Sequence, residues 1–371
     1  MPAKSVLYIC HGNFNYLSRA KRQINALIEN GYKVTVANGL FSGNPEYDYP
    51  YEILKFRIKT GKSPMLNFLS LIWFNISLGF KVKDKYNVII CRELSILLSG
   101  VIMKLLKGSK LVFDSNELSV ETHSGIKKIV WNIIQRFSIQ FCNLIIHAEQ
   151  NRMNYFKEKY RVINGKSNQI VIENYPYLNS DSTTIKPNGL KAVYFGGLSE
   201  GRSIEEIIIA FKSIENVALE FIGFGDESYK KKLKHIIIDK KINNVKFREP
   251  INDEKIYDFL SAYHIGFAFY DNTNLNNYYC APNKIFQYIQ AGMSVITNDY
   301  PGLKPIVEGN CIGNCVSEVS STQISEAVTS IVSKKMWENC TLNLKENFCW
   351  EKIEKTFFGE GKLQLMADKV L

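Results

Sequence analysis

Short apolar runs alternate with longer helical stretches along most of the chain. The first run, residues 5–10 (SVLYIC), ends at His11-Gly12-Asn13 and leads into a helical stretch closed by Gly31. Short strands separated by helices of this length are typical of βαβ units, whose parallel sheet is covered on both faces. The same pattern predicts further strands at residues 33–38, 51–58, 87–91, 110–114, 143–147, 169–174, 191–195, 218–222, 245–247, 265–270 and 294–297.

The alternation pauses once, at residues 175–189 (YPYLNSDSTTIKPNG), a polar stretch that contains two prolines. We interpret this stretch as an interdomain linker, and a chain of 371 residues is long enough for two domains. We therefore predict two doubly wound, Rossmann-like α/β domains, residues 1–178 and 179–349. Residues 350–371 follow the second domain, and their apolar stripe predicts a helix that packs back on the first domain.

The charge is distributed unevenly between the two halves. Residues 1–185 carry 24 Lys and Arg against 13 Asp and Glu, whereas the remainder carries 22 against 23. A basic half favours an anionic partner such as a membrane surface, a lipid diphosphate or a nucleic acid. Because the sequence contains no recognisable nucleic-acid-binding motif, we predict no nucleic-acid partner.

Two apolar segments with basic flanks lie in the first half, at residues 65–80 (MLNFLSLIWFNISLGF) and 127–141 (KKIVWNIIQRFSIQF). The first is short for a spanning helix, which needs about 20 apolar residues. Two interpretations remain open, a buried helix of the first domain or an interfacial helix that docks on an anionic membrane.

The eight cysteines mostly lie inside apolar strand or helix patterns, which favours free thiols in a reducing cytoplasm. The chain enters its first strand within a few residues, so we expect no signal peptide. The second half contains no carboxylate cluster of metal-ligand type, and we predict no metal site. The expected location is the cytoplasm, with peripheral association at the inner face of the plasma membrane as a further expectation.

Ligands of open parallel sheets bind beyond the carboxyl ends of the strands, where loops lead into helices. Four such loops stand out in the second half, and glycines in them would let backbone N–H groups approach a phosphate. In the first loop Ser203 and Glu206 also have the spacing of a capping box. The loops contain Gly196, Gly197 and Arg202; Gly225; Arg248 and Glu249; and the run 281–292 (APNKIFQYIQAG).

The last of these loops is the most distinctive. Pro282 suits the start of a helix and Gly292 its end, so Lys284 and Gln287 lie on one face near the first turn. A cation and an amide in these positions suit a diphosphate and a ribose.

The run APNKIFQYIQAGMSVIT resembles the nucleotide-sugar signature of the family 4 retaining glycosyltransferases, which have the GT-B fold. VYFGGLSEGRSIEEIIIAF resembles the start of that family's second domain, and LEFIGFGD its next strand and glycine loop. LVFDSNEL resembles the Asp-x-His-Glu strand end of the first domain, and HGNFNYLSRAKRQINALIENGYKVTVANG its opening βαβ unit. These segments occur in the expected order over nearly the whole chain.

The resemblance implies transfer of a sugar, with retention and without a metal, from a nucleotide sugar to a lipid-linked or polysaccharide acceptor in bacterial surface glycan assembly. UDP-sugars are favoured over GDP-sugars, although Glu249 could pair with guanine. Catalytic roles are implied for Arg202 and Lys284, which would neutralise the diphosphate, and for Asn116 and Glu117 at the Asp-x-His-Glu position. The implied donor-binding residues are Gly12, Gly196, Gly197, Gly225, Arg248, Glu249, Tyr279, Ala281, Pro282, Asn283 and Gln287.

The sequence departs from the family pattern at three of these positions. Tyr279 and Gln287 stand where the family has paired glutamates, and Asn116 stands where it has a histidine. An inactive or atypical nucleotide-sugar-binding protein is therefore an alternative. Nucleotide-sugar epimerisation, another GT-B activity, would require carboxylates that abstract a proton, and the loops offer no convincing pair.

Overall fold

The computed structural model describes residues 5–60, 63–161, 168–180, 186, 188–251, 256–280 and 282–358. It divides into two compact units, Met1–Glu173 with Ile353–Leu371 and Asn174–Lys352. Each unit is an α/β domain built on a parallel sheet.

The first unit is built on a seven-stranded sheet with the order β3-β2-β1-β4-β5-β6-β7. All neighbouring strands run parallel, which requires a crossover between them. The strands are β1 Ser5–His11, β2 Lys33–Leu40, β3 Glu52–Arg57, β4 Val88–Arg92, β5 Lys110–Ser115, β6 Leu144–His147 and β7 Asn168–Val171. The helices are α1 Ser18–Glu29, α2 Pro64–Lys81, α3 Leu97–Lys107, α4 Gly125–Ser138 and α5 Gln150–Lys159.

The second unit repeats this design on a six-stranded parallel sheet with the order β10-β9-β8-β11-β12-β13. Its strands are β8 Leu190–Phe195, β9 Val217–Ile222, β10 Val245–Arg248, β11 Ile265–Ala268, β12 Ser294–Asn298 and β13 Gly313–Val316. Its helices are α6 Ile204–Ala210, α7 Glu227–Asp239, α8 Ile256–Leu260, α9 Leu275–Tyr278, α10 Asn283–Gln290, α11 Lys304–Val307, α12 Ser321–Lys334 and α13 Leu342–Asn347. The final helix, α14 Trp350–Phe357, extends past the division between the units, and the rest of the predicted helical segment, 359–371, lies outside the described residues.

The alternating pattern predicted twelve of these strands, with ends that differ by a few residues. It missed β13, Gly313–Val316, which lies at the edge of the second sheet. Its sequence, GNCV, holds a single strong apolar residue, because an edge strand is covered less than a central one.

Helix α2 is buried on one side and exposed on the other, and its docking on a membrane stays a prediction. Leu71, Phe74 and Leu78 are buried in the core of the first unit. On its other side Met65 and Trp73 are 71% and 68% exposed. In the part of the chain that the structure describes, no helix combines the length and apolarity needed to cross a bilayer.

All eight cysteines carry free thiols, as predicted, and six of them are buried. Burial raises the pKa of Cys10 to about 12, which makes this thiol a small apolar side chain rather than a nucleophile.

A buried ion pair joins α1 to the central part of the first sheet. Arg19 donates through Nη2 to Oδ1 of Asp114 at 2.9 Å, and both side chains are almost fully buried. Through Nη1, Arg19 also donates to the carbonyl of Ile172 at 2.8 Å. The guanidinium thus ties the start of α1 to the end of β5 and to the segment that follows β7.

We expect Asp114→Leu to lower the free energy of unfolding by about 3–5 kcal/mol, because it leaves a buried guanidinium without its carboxylate. The double variant Arg19→Met with Asp114→Leu should recover most of this loss, since neither charge then remains. Urea unfolding followed by circular dichroism measures both. A double variant as unstable as the single one would contradict this account of the pair.

Candidate functional site

The loops after β8 and β9 run in direct backbone contact at the carboxyl end of the second sheet. The N–H of Gly196 donates to the carbonyl of Ile222 at 2.9 Å. A Cβ atom on Gly223 would lie 1.8 Å from the carbonyl oxygen of Gly196, so only glycine fits at position 223. A Cβ atom on Gly225 would likewise lie 2.4 Å from the carbonyl oxygen of Leu198. The two predicted glycine loops therefore form one surface.

Lys284, in the first turn of α10, extends across this surface. Its Nζ donates to the hydroxyl of Tyr194 at 3.1 Å and lies 4.4 Å from the centre of the Tyr194 ring. A Cβ atom on Gly196 would lie only 2.4 Å from Cε of Lys284, so the side chain occupies the space that this glycine leaves. Burial, with a smaller contribution from the charge of Arg202, lowers the pKa of Lys284 to about 7.

Arg202 lies close enough to Lys284 for their charges to interact. Its guanidinium stacks over the ring of Tyr270, with Cζ 4.2 Å from the ring centre. The Nη1 atom of Arg202 is buried and has no hydrogen-bond acceptor. Two cations thus meet beside glycine backbone, and one of them retains an unused donor. An anion with several acceptor oxygens would satisfy both.

The loop that carries Arg202 is held in place by Asp271, which follows β11. The N–H of Asp271 donates to the carbonyl of Gly201 at 3.0 Å. Although burial raises the pKa of Asp271, hydrogen bonds from Thr273 and Asn277 together with the charge of Arg202 lower it overall. Asp271 is therefore a carboxylate that organises the loop beside Arg202.

The prediction of a capping box at the start of α6 was wrong. Ser203 has φ of 52°, in the left-handed region, and its side chain makes no capping hydrogen bond. A capping residue needs extended backbone to aim its hydroxyl at the helix, and the turn after Gly201 does not provide it.

Helix α10 begins and ends as the sequence predicted. Pro282 precedes its first residue, and Gly292 follows it with φ of 67°. The hydroxyl of Tyr288 donates to the carbonyl of Phe267 at 3.1 Å and accepts from the N–H of Phe195 at 3.2 Å. Tyr288 therefore fixes α10 against β8 and β11. Lys284 and Gln287 are both partly buried on this helix, and the side chain of Asn283 accepts from Asn174.

Arg248, Glu249 and Tyr279 are the further predicted residues of this unit that the structure describes. Arg248 ends β10, and its Nε pairs with Oε2 of Glu220 at 2.8 Å, while Glu249 is exposed. Tyr279 caps the end of α9 and packs against the ring of Tyr278. Ala281 lies outside the described residues. The structure thus brings Gly196, Arg202 and Lys284 together and gives Arg248 an internal partner.

In the first unit, the predicted residues follow β1 and β5. Gly12, with φ of 93°, lines a cavity of about 550 Å³ together with residues 40–45. Glu117 is exposed, and its neighbour Asn116 is fixed through its carbonyl, which accepts from Nη1 of Arg152 at 2.7 Å.

A polar cluster beside Glu117 was missed by the sequence analysis. His11 Nε2 lies 2.8 Å from Oγ of Ser95 and 3.1 Å from Oε2 of Glu93. Glu93 has φ of 85°, a conformation that is rare outside glycine. Burial raises the pKa of Glu93, but the hydrogen bond with His11 and the charge of Arg92 lower it overall. These groups line a second cavity, of about 210 Å³, together with Glu117.

Supporting residues were also missed in the second unit. Tyr194 contacts Lys284, and Asp271 holds the loop that carries Arg202. In the sequence, Tyr194 cannot be told apart from the other apolar residues of its strand. Asp271 could have been predicted from its position. It follows a strand that ends at the same edge of the sheet as β8, where ligands bind. Within the described residues, no three His, Cys, Asp or Glu side chains form a group that could hold a metal ion.

Comparison with known proteins gives a family match to the second unit and similar solved structures for the whole chain. Residues 178–347 match the family model described as "Glycosyl transferases group 1". No curated protein sequence matches the chain. Sucrose-phosphate synthase from Thermosynechococcus elongatus superposes with a TM-score of 0.75 at 14% identity, over 98% of this chain and 100% of that one.

Two further similar structures were solved with nucleotide ligands. Anabaena HepE in complex with UDP-glucose gives a TM-score of 0.68 at 16% identity, covering 99% of both chains. The Escherichia coli trehalose-6-phosphate protein bound with UDP-2-fluoro glucose gives 0.71 at 8% identity, over 98% of this chain and 99% of that one. The fold is therefore GT-B. The family match over residues 178–347 supports a glycosyltransferase.

Lys284→Met should stabilise the unliganded chain, because it removes a buried charge that has no carboxylate. We expect the Tm at pH 7 to rise by about 2–4 °C, corresponding to roughly 1 kcal/mol. Since the unfolded chain binds more protons between pH 7 and 10.5, the wild type should gain stability as pH rises through this range. The variant should lose this pH dependence in differential scanning fluorimetry.

Lys186→Met is the matched control, because Lys186 is also a buried lysine of the second unit. Its Nζ donates to the carbonyls of Ser261, Tyr263 and Ala291. Its removal leaves carbonyls unsatisfied and should lower the Tm. If both variants lower the Tm equally, Lys284 is a structural lysine.

Proposed function

We propose that the chain is a retaining, metal-independent glycosyltransferase of the family 4 type, which takes its sugar from a nucleoside-diphosphate sugar. The observation that carries this proposal is the pair Arg202 and Lys284. Lys284 lies against the Gly196 backbone, and Nη1 of Arg202 is buried without an acceptor. A diphosphate supplies the oxygens that such a pair requires.

The pair would act on the leaving group. In transfer, the bond between the anomeric carbon and a diphosphate oxygen breaks, a bond to the acceptor hydroxyl oxygen forms, and the hydroxyl proton is released. Negative charge develops on the departing diphosphate, and two fixed cations in a partly water-excluded site stabilise that charge without reorganisation. We assign catalytic roles to Arg202 and Lys284 and, on the first unit, to Asn116 and Glu117. We also propose that the two functional domains have the limits predicted from the sequence, residues 1–178 and 179–349.

UDP-sugars are the donors we favour, since HepE was solved with UDP-glucose. The ribose would be bound by Gln287, which lies on the helix of Lys284 and can hydrogen-bond to two hydroxyls. Arg248 is engaged by Glu220, whereas Glu249 is exposed and would pair with a base.

The acceptor we propose is lipid-linked or a polysaccharide, and the chain would work at the cytoplasmic face of a membrane in lipopolysaccharide or capsule synthesis. Apolar side chains on α2, α3 and α4 are exposed, among them Trp73, Leu105 and Ile133 at 68%, 64% and 61%. Exposed apolar surface with basic neighbours is typical of membrane-docking faces.

A donor-binding protein without turnover is the second candidate, because Tyr279 and Gln287 replace the two carboxylates of the family. Nucleotide-sugar hydrolysis or transfer separates the two functions. Measurable turnover by the wild type that is lost on mutation of Lys284 supports the enzyme.

Arg202→Gln and Lys284→Gln should each weaken UDP-glucose binding by about tenfold or more, because each removes a charge-assisted contact worth roughly 1.5–3 kcal/mol. Isothermal titration calorimetry measures the affinities. Lys232→Gln is the control, since Lys232 pairs with Glu205 at 2.8 Å and is not a predicted donor-binding residue, so its loss should change the affinity little. Near-normal binding by both site variants would remove the diphosphate assignment.

UDP-glucose affinity should fall by about fivefold between pH 7 and 8, since the protonated fraction of Lys284 falls over this interval. Below pH 6 the affinity should be constant, because the ammonium is then fully formed. Lys284→Gln should bind weakly with no such pH dependence. A wild type whose affinity does not change between pH 6 and 8 would show that Lys284 does not meet the donor as a cation.

A further inference from the structure

An apolar groove runs along the surface of the first unit between the start of α2 and α4. Its walls are formed by Met65, Phe68, Leu69, Ile126, Val130 and Trp131, and it encloses about 620 Å³. Ile126 is 79% exposed and Leu69 is 52% exposed, so neither is used to stabilise the core. Full exposure of such side chains is costly, and a contiguous patch of this kind marks a binding surface.

The groove adjoins the polar cavity of His11, Glu93 and Ser95. His123 and Trp131 line both spaces, and their rings stack with centres 6.1 Å apart. Phe68 packs edge-on against Trp131 at 5.6 Å. One continuous surface therefore passes from apolar side chains to hydroxyl, imidazole and carboxylate groups.

A cation lies on the groove, close to His123, which lines both spaces. Lys127 lines the groove and is close enough to His123 that its charge, after the larger effect of burial, lowers the pKa of the imidazole. Its neighbour Lys128 is neutralised by Glu121 at 2.7 Å, whereas Lys127 is exposed. The surface thus combines apolar side chains, an exposed cation and a polar cavity.

We propose that this surface binds the acceptor, an amphiphile whose hydrocarbon chain lies in the groove. A phosphate linkage would meet Lys127, and the hydroxyl-bearing head would enter the cavity of His11, Glu93 and Ser95. The inference rests on the proposed glycosyl transfer and names the class of its acceptor, a lipid phosphate that carries a sugar. Charge complementarity at Lys127 and continuity with the polar cavity select this occupant.

Decyl phosphate below its critical micelle concentration is the probe, titrated calorimetrically into the full chain. We expect saturable binding that Ile126→Ser weakens by about tenfold, because one apolar contact is lost. Ile129→Ser is the matched control on the same helix, since Ile129 is 60% exposed and does not line the groove, and it should change affinity by less than twofold. Lys127→Gln should weaken decyl phosphate binding and leave binding of the uncharged octyl glucoside unchanged.

Equal losses in the Ile126 and Ile129 variants would overturn the proposal, because they indicate general adsorption to an apolar face. Absence of saturable binding would overturn it as well. So would a concentration-dependent dimer that Ile126→Ser abolishes, since a second copy of the chain would then occupy the groove. UDP-glucose binding is measured in the same variants, so that failure of the groove proposal can be distinguished from failure of the proposed function. A wild type that binds decyl phosphate but no nucleotide sugar would refute the proposed function and support the groove as an amphiphile site.

Discussion

The candidate site depends on an ammonium group held without a carboxylate. Lys284 contacts the hydroxyl of Tyr194 and the backbone of Gly196, and Arg202 beside it adds a second positive charge. This arrangement is unfavourable until an anion arrives, and burial shifts the pKa of Lys284 to about 7 as a consequence. The glycines make the contact feasible: Gly196 leaves room for the lysine, and Gly223 leaves room for the carbonyl of Gly196.

The central strands of the sheets could be predicted from the sequence because most of their residues are buried on both faces. In β1, for example, residues 6–10 are all buried, so the strand reads as an unbroken apolar run between helices. The edge strand β13 lacks this signal. The turn at Ser203 could not be predicted either, because its left-handed backbone follows from packing of the loop against Asp271 rather than from its own residue types.

The residues that would meet a donor were predictable, whereas the residues that hold them were not. Lys284 stands in a recognisable run, but its partner Tyr194 lies 90 positions earlier and has no local signature. The partner of Arg248 could not be predicted either, because its pairing with Glu220 depends on the register between β9 and β10. Contacts across a sheet become visible only when the strand order is known, and motifs do not encode that order.

Net charge does not by itself locate the proposed diphosphate site. The basic half of the chain contains a cavity lined by Glu93 and Glu117, while the nearly neutral half contains the cations Arg202 and Lys284. Several lysines of the first half instead lie at helix surfaces and ends, as Lys104 does where it donates to the carbonyl of Phe141. A long-range positive field and a local anion site are thus different properties. A long-range positive field attracts an anionic surface. A local anion site requires hydrogen-bond donors that have no other partner in the fold.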